Sequence, residues 1–307
     1  MSEFSASWLA LREPADRAAR SRDLTERVSS HLRTGPAPLG ILDLATGTGA
    51  NIRYLAPCLS GPQRWRAVDR DAALLRQLPQ RVGSWAIAAG YLITGDRSGF
   101  NLKGDGFQCR VDAVTADLAR LAAGGPAGDL FEGRALVTAS ALLDLVSERW
   151  LATLAGRCQA AGAAVLFALT YDGRIACEPE EPEDEEVRDL VNRHQRGTKG
   201  FGRALGPDAV ASAVRCFAAA GYEVHTAPSD WRLGPSDGEL QRQLVEGWAS
   251  AAREIAPARA AAVDAWHARR LAHVAAGRSS IMVGHQDLGG WPAPGSTPSG
   301  PDAAPRS

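Results

Sequence analysis

The chain has 307 residues, room for one large domain or two small ones. Hydrophobic residues make up 45% and charged residues 22%, the balance of a folded globular protein rather than a disordered or fibrous one. A formal net charge of -1 argues against nucleic acid or an anionic membrane as an obligate partner, and no apolar run approaches the ~18 residues of a membrane span.

The N-terminal MSEFSASWLALREPAD lacks a basic stretch followed by a long apolar core, so it does not read as a signal peptide. The five cysteines, Cys58, Cys109, Cys158, Cys177 and Cys216, are scattered and include no CxxC pair. That pattern points away from a disulfide framework or a zinc site and toward reduced thiols in a cytosol.

Residues 5–33 read as helical, marked by Trp8, Leu9, Leu11, Leu24, Val28 and Leu32, with Pro14 expected to separate a short first helix from a second. A buried strand follows, Ile41 to Leu44, and runs into the turn Gly47-Thr48-Gly49 and a helix start. Strand, tight turn and helix N-terminus together make a cradle for a nucleotide-bearing cofactor. Ile52 stands where the third glycine of the dinucleotide fingerprint would be. A second strand, Arg64 to Val68, leads into Asp69, which lies 20 residues beyond Gly49. At about that spacing an acid reaches a ribose diol, from which a carboxylate accepts two hydrogen bonds.

Further strands are expected near 109–115, 134–140 and 163–170, with helices near 50–56, 71–81 and 147–161. This alternation predicts a parallel sheet with crossover helices. Residues 84–107, punctuated by Gly95, Gly99, Gly104 and Gly106, read as an irregular β insertion. The acidic, proline-bearing run from Glu178 to Glu186 reads as a solvated loop and helix start, and residues 197–206 as a glycine-rich connection within a second insertion, 172–206. Helices are expected over 185–196 and 207–220, a sixth strand at 222–226 and a last strand at 280–285. Residues 289–307, rich in Pro, Gly and Ser, read as a disordered tail.

Asp43-x-Ala45-x-Gly47-x-Gly49 resembles motif I of class I S-adenosylmethionine (SAM)-dependent methyltransferases, with Ala45 where that family usually has its first glycine. The resemblance covers roughly residues 36–288, with residues 1–35 as an N-terminal helical cap. It implies an α/β fold: a seven-stranded, mostly parallel, Rossmann-like sheet with helices on both faces and an antiparallel last strand. It also implies SAM as cofactor and a small-molecule acceptor, with no nucleic acid or membrane partner. On this likeness Asp43, Ala45, Thr46, Gly47, Gly49, Asn51, Asp69 and Arg70 surround the cofactor. Ala116, Asp117 and Leu118 resemble the segment against adenine, Ser140 lies at the fourth-strand end, and Arg20, with Arg12 and Arg17, is a candidate for the methionine carboxylate. Ala45 fits unless its position needs a positive φ.

Methyl transfer mainly needs an aligned, water-free site, and a base for an O or N nucleophile. Three residues are candidates for the catalytic side. Asp144 lies between leucines after the fourth strand, either facing the pocket or bonding the next helix's N-terminus. Tyr171 ends the fifth strand, facing an acceptor or simply opening a turn. His194 begins the segment His194–Arg203, which is either a lid for an anionic acceptor or an ordinary exposed loop. His225, His267, His273 and His285 have no metal-ligand spacing and read as structural or surface residues. The Asn/Asp-Pro-Pro-aromatic signature of amino-group methylating relatives is absent at Ser140-Ala141-Leu142-Leu143, which favours an O- or C-acceptor. Two rival readings remain: an NAD(P)-dependent oxidoreductase, and a SAM-binding protein without turnover.

Overall fold

The computed structural model describes residues 5–32, 37–96, 99–123 and 128–294. Two helices, α1 (Ala6–Ala19) and α2 (Arg22–His31), precede the alternating part. Strand β1 (Leu39–Leu44) leads to α3 (Ala50–Leu55), β2 (Gly61–Asp69) and α4 (Ala72–Ala88). A hairpin, β3 (Leu92–Asp96) and β4 (Gly99–Gly104), feeds β5 (Phe107–Thr115). Then come α5 (Gly128–Phe131), β6 (Leu136–Ser140), α6 (Glu148–Ala160) and the long β7 (Ala164–Glu178). The last part holds α7 (Asp184–Gln195), a small hairpin of β8 (Thr198–Lys199) and β9 (Gly202–Arg203), α8 (Ala209–Ala219), β10 (Tyr222–Pro228), β11 (Trp231–Leu233), α9 (Gly238–Ile255), α10 (Ala260–Ala275) and β12 (Ser280–Pro292).

Short polar side chains start these helices. Ser5, Ser21, Asp71 and Ser147 each accept a hydrogen bond from a first-turn amide of α1, α2, α4 and α6. The main sheet runs β10-β12-β7-β6-β1-β2-β5-β4-β3, with β11 paired to β12. Pairs β1–β2, β1–β6, β2–β5 and β6–β7 are parallel, and β12 lies antiparallel between β7 and β10. The expected seven strands are therefore present, and the count rises because the 84–107 insertion adds β4 and β3 beyond β5 and because β11 joins β12. Apolar side chains fill both faces: Leu44, Val137, Phe167 and Trp150 on one, Ile41, Trp65, Leu78 and Val111 on the other. A third cluster under α7, α9 and α10 includes Trp231, Trp248 and Trp266.

Several boundaries differ from the sequence reading. Helix α1 runs straight through Pro14, and the break falls at Arg20 and Ser21. Helix α4 likewise passes Pro79 and ends at Ala88, so the β part of the insertion begins only at Leu92. Strand β7 continues past Tyr171 to Glu178. The acidic run is not merely solvated: Glu181 and Glu183 pair with Arg269, and Asp184 with the fully buried Arg270 of α10. Residues 289–292, expected to open the tail, are strand. Gly289 and Gly290 lie within β12, where a Cβ on Gly289 would stand 2.7 Å from Val28 Cγ2, so that glycine lets α2 pack against the strand. The rest of that segment, from 295 on, lies outside the described residues.

Candidate functional site

The chain moves from β1 outward to β2 and β5, then returns to β6 on the other side of β1. Open wound sheets bind ligands beyond the strands' carboxyl ends at such a reversal. Residues 45–49 leave β1 at that place.

Asp43, 0% exposed near the end of β1, accepts from Thr46 Oγ1 at 2.5 Å and from Asn51 Nδ2 at 2.6 Å. The same Asn51 nitrogen donates at 3.0 Å to Thr138 Oγ1, in register with Asp43 on β6, and that hydroxyl donates to the Leu166 carbonyl at 2.6 Å. Asn51 Oδ1 accepts from Arg20, whose guanidinium lies 4.3 Å over the Tyr54 ring. Burial pushes the Asp43 carboxyl up to about 6, against the pull of its Thr46 and Asn51 hydrogen bonds. Burial also lowers the Arg20 guanidinium, opposed by the charge of Asp287.

Asp69 closes β2 and is nearly buried. Its Oδ2 accepts from the Gly47 amide at 2.8 Å and its Oδ1 from the Asp71 amide at 2.9 Å. A carboxylate has about four lone-pair positions, so each oxygen keeps one for a ligand hydroxyl. Gly47 and Gly49 have φ of 55° and 85°, and a Cβ on Gly47 would stand 3.0 Å from Leu9 Cδ1. Helix α1 therefore lies over the turn. It is fastened there by Glu13, which accepts from Arg53 Nη2 at 2.6 Å, while Arg53 Nη1 donates to the Thr48 carbonyl at 2.7 Å.

Ala45 has φ 53°, so this position does need the left-handed region. Ala141 (φ 53°) and Leu169 (φ 56°) share that conformation, at the end of β6 and in the part of β7 just beyond its pairing with β6. Strain of this kind gathers where a ligand site dictates the backbone. Left-handed backbone costs an L-residue about 1–2 kcal/mol, and glycine's extra freedom in the unfolded chain returns roughly 0.4–1 of it. Ala45→Gly is therefore expected to raise the unfolding free energy by about 0.5–1 kcal/mol in urea titration, and a loss of stability would contradict the assigned backbone.

The other cofactor candidates stand nearby. Ala116 donates its amide to the Asp69 carbonyl at 2.9 Å. Asp117 is exposed and accepts from the Ala119 amide, Leu118 is buried with its carbonyl accepting from Trp150 Nε1 at 2.6 Å, and Ser140 ends β6. Arg70 is exposed just past β2. A cavity of about 370 Å³ between α1, α3 and α4, lined by Glu13, Arg53, Gln77 and Arg81 among others, contains none of the motif acids.

Of the catalytic candidates, Asp144 and Tyr171 come together and His194 does not. Asp144 is 8% exposed, and its Oδ1 has no hydrogen-bond partner. Ser147 caps α6, so Asp144 does not serve that role. Burial pushes the Asp144 carboxyl up to about 6, opposed by the charge of Arg12. Tyr171 is buried on β7 and donates its hydroxyl to Asn192 Oδ1 at 2.7 Å; burial raises it, and the nearby charges of Asp172 and Asp144 add to that. His194, near the end of α7, faces Glu254 Oε2 at 3.4 Å. The glycine-rich connection forms the β8–β9 hairpin and is pinned beside β6, since Leu205 donates to the Val146 carbonyl at 2.9 Å and Phe201 meets Trp150 edge-on at 5.3 Å.

Asp43 and Asp144 hold their protons to higher pH folded than unfolded. Their contribution to stability is complete below about 3.8 and is lost as pH rises through about 6. Asp144→Asn removes one of these titrations. Relative to the parent, the variant is expected to gain stability steadily between pH 4 and pH 6.5 in urea titrations, and a difference that stays constant with pH would contradict the buried carboxyl.

The sequence places Thr138 only within the segment Thr138–Leu142 that resembles the fourth-strand end beneath the cofactor; its bond to Asn51, and the Glu13–Arg53 clasp, no spacing reveals. Among the described residues, no group of His, Cys, Asp and Glu could hold a metal ion, and no helix is long and apolar enough to cross a membrane.

No protein-family model matches the chain, and no curated protein matches it. Solved structures do resemble it. A cyclopropane synthase from Mycobacterium tuberculosis is 9% identical over 86% of this chain and 82% of its own, with a TM-score of 0.42. A SAM-dependent methyltransferase from Geobacter sulfurreducens with S-adenosylhomocysteine is 13% identical over 92% and 98%, with a TM-score of 0.43. A phosphoethanolamine N-methyltransferase from Haemonchus contortus is 11% identical over 94% of this chain and 58% of its own, with a TM-score of 0.42. The likenesses are distant, and the functional reading rests on this chain's own residues.

Proposed function

We propose that this chain is a SAM-dependent methyltransferase acting on a small molecule, with an O- or C-acceptor favoured. The observation that carries the reading is Asp43, a buried carboxylate directly beneath the glycine turn. A dinucleotide would bring its pyrophosphate to that helix start, where a buried acid repels it. The methionine end of SAM brings an ammonium and a sulfonium, which the acid attracts. Ile52 argues the same way: it is 0% exposed where a dinucleotide fold wants glycine for close helix packing.

In this reading Asp69 accepts from the ribose diol and simultaneously shapes the turn through the Gly47 amide. Arg20, held on Asn51 and Tyr54, neutralises the cofactor's carboxylate. Bound SAM supplies an electrophilic methyl group that needs no metal. The chain's part is to align the acceptor, to exclude water beneath α1, and to take a proton on Asp144 when the nucleophile carries one. Buried, free Cys109, Cys158 and Cys177 support a cytosolic setting.

A melting-temperature screen tests the assignment. S-adenosylhomocysteine at about 100-fold above its Kd is expected to stabilise the fold by about 2.7 kcal/mol, with no shift from NADH. A shift with NADH alone would replace this reading with the oxidoreductase.

A further inference from the structure

Beyond the motif, three side chains from separate elements converge. They are Asp144 after β6, His285 on β12 and Arg12 on α1, whose charge acts on both of the others. Asp144 Oδ1 and His285 Nδ1 are buried without hydrogen-bond partners, in residues 8% and 6% exposed. Eight buried side-chain atoms among the described residues lack partners, and of these Asp144 Oδ1 and His285 Nδ1 are joined through Tyr171, which pairs with His285 and whose hydroxyl feels the Asp144 charge, and through Arg12. The walls are aromatic. His285 is the cross-strand partner of Tyr171, with ring centroids 6.2 Å apart, and the Trp231 ring lies 5.1 Å from it. The Arg12 guanidinium lies 5.0 Å over Trp231. That cation is already committed: Nε and Nη2 donate to Asp16 at 2.9 to 3.2 Å, and Asp16 also accepts from Trp231 Nε1 at 3.1 Å.

We propose that Asp144 and His285 form the acceptor subsite of the cleft and take a neutral, hydroxyl-bearing aromatic substrate, of which phenol is the simplest member. The proposal rests on the methyltransferase reading and adds the acceptor class to it. Asp144 Oδ1 accepts hydrogen bonds at neutral pH, and His285 Nδ1 accepts them in the tautomer that carries its proton on Nε2. Asp144 is ionised above about 6, and burial with the neighbouring Arg12 charge lowers His285 to about 4, so its ring is neutral. An acceptor that donates hydrogen bonds is matched there, whereas a carboxylate or phosphate would set its charge against Asp144 with Arg12 already spent on Asp16. In the transfer, the hydroxyl proton passes to the Asp144 carboxylate as the O–CH3 bond forms. The S–CH3 bond of SAM breaks, its electron pair stays on sulfur, and the sulfonium becomes a thioether.

The test uses the full chain. S-adenosylhomocysteine is titrated first, by calorimetry. Phenol and, separately, benzoate are then titrated into the loaded protein while the His285 imidazole resonance, assigned with His285→Gln, is followed by NMR. Phenol is expected to move that resonance saturably, and benzoate to leave it in place. Asp144→Asn should weaken phenol at least tenfold with the S-adenosylhomocysteine affinity kept within twofold, and phenol should bind more weakly below pH 6. The groups facing Asp144 in that titration are Arg12 of α1, Lys199 of β8 and Tyr171 of β7, and those facing His285 are Arg12, Asp172 of β7 and Asp230 before β11. Phenol that leaves His285 unmoved, benzoate that saturates equally well, or an Asp144→Asn protein that binds phenol like its parent overturns the proposal. Should Asp144→Asn lose S-adenosylhomocysteine affinity, His285→Gln decides by the same tenfold criterion, with phenol read from its own line broadening. Failure of S-adenosylhomocysteine with phenol behaving as expected removes the methyltransferase reading alone, and the reverse result removes the subsite alone.

Discussion

Asp69→Ala is expected to weaken S-adenosylhomocysteine binding by roughly 100-fold or more and to lower stability by about 1–3 kcal/mol. The two losses have separate causes. A carboxylate accepting from a ribose diol makes charge-assisted bonds of about 1.5–3 kcal/mol each, and one to two of them correspond to the loss in affinity. The same oxygens hold the Gly47 and Asp71 amides, and alanine strands both donors at the edge of the buried turn. Asp69→Asn separates the causes. It keeps one acceptor oxygen and the side-chain shape, so it should recover more stability than affinity. Calorimetric titration alongside urea unfolding checks both, and an Asp69→Ala protein with unchanged affinity would remove Asp69 from the site.

The largest effect on stability is expected far from the cleft, at Asp184. Its carboxylate accepts from Arg270, which is 0% exposed, and from Trp266 Nε1 at 2.7 Å. Asp184→Ala leaves a guanidinium buried without its counter-charge, an arrangement that costs about 3–5 kcal/mol. By contrast, Arg188 pairs with Glu185 and Asp189 at the surface, and Arg188→Ala should barely move the urea midpoint. Equal effects in the two variants would show that α10 is not latched to the β7–α7 connection through this pair.

What was legible in the sequence was local. Strand, glycine turn and helix start lie within Leu39 to Leu55, and Asp69 ends β2 at the expected spacing, so the fold brings Asp43, Gly47, Gly49 and Asp69 together as the motif implies. The antiparallel last strand followed from the resemblance and stands beside β7. Contacts between distant segments were not legible. Thr138 meets Asn51 across 87 positions, and Arg270 meets Asp184 across 86. The acids at 181–184 looked solvated because nothing local says that three basic residues of α10 cover them.

Local signals also misled. Pro14, expected to separate two helices, lies inside α1, whose Leu11 and Ala15 pack on the third cluster, and α4 runs past the expected end at 81 with Leu75, Leu78 and Val82 holding its apolar face. Gly289 and Gly290 looked like tail and instead permit close packing within β12. His285 reads as structural in the sequence, and the charges of Arg12, Asp172 and Asp230 that act on it come from other elements and are visible only in the fold.

The central claim is that the turn over Asp43 cradles SAM, and direct calorimetric titration of the purified chain with S-adenosylhomocysteine tests it most directly. The account predicts one site per chain with a micromolar Kd, weakened roughly 100-fold in Asp69→Ala; no heat of binding at millimolar ligand from a folded protein would contradict it.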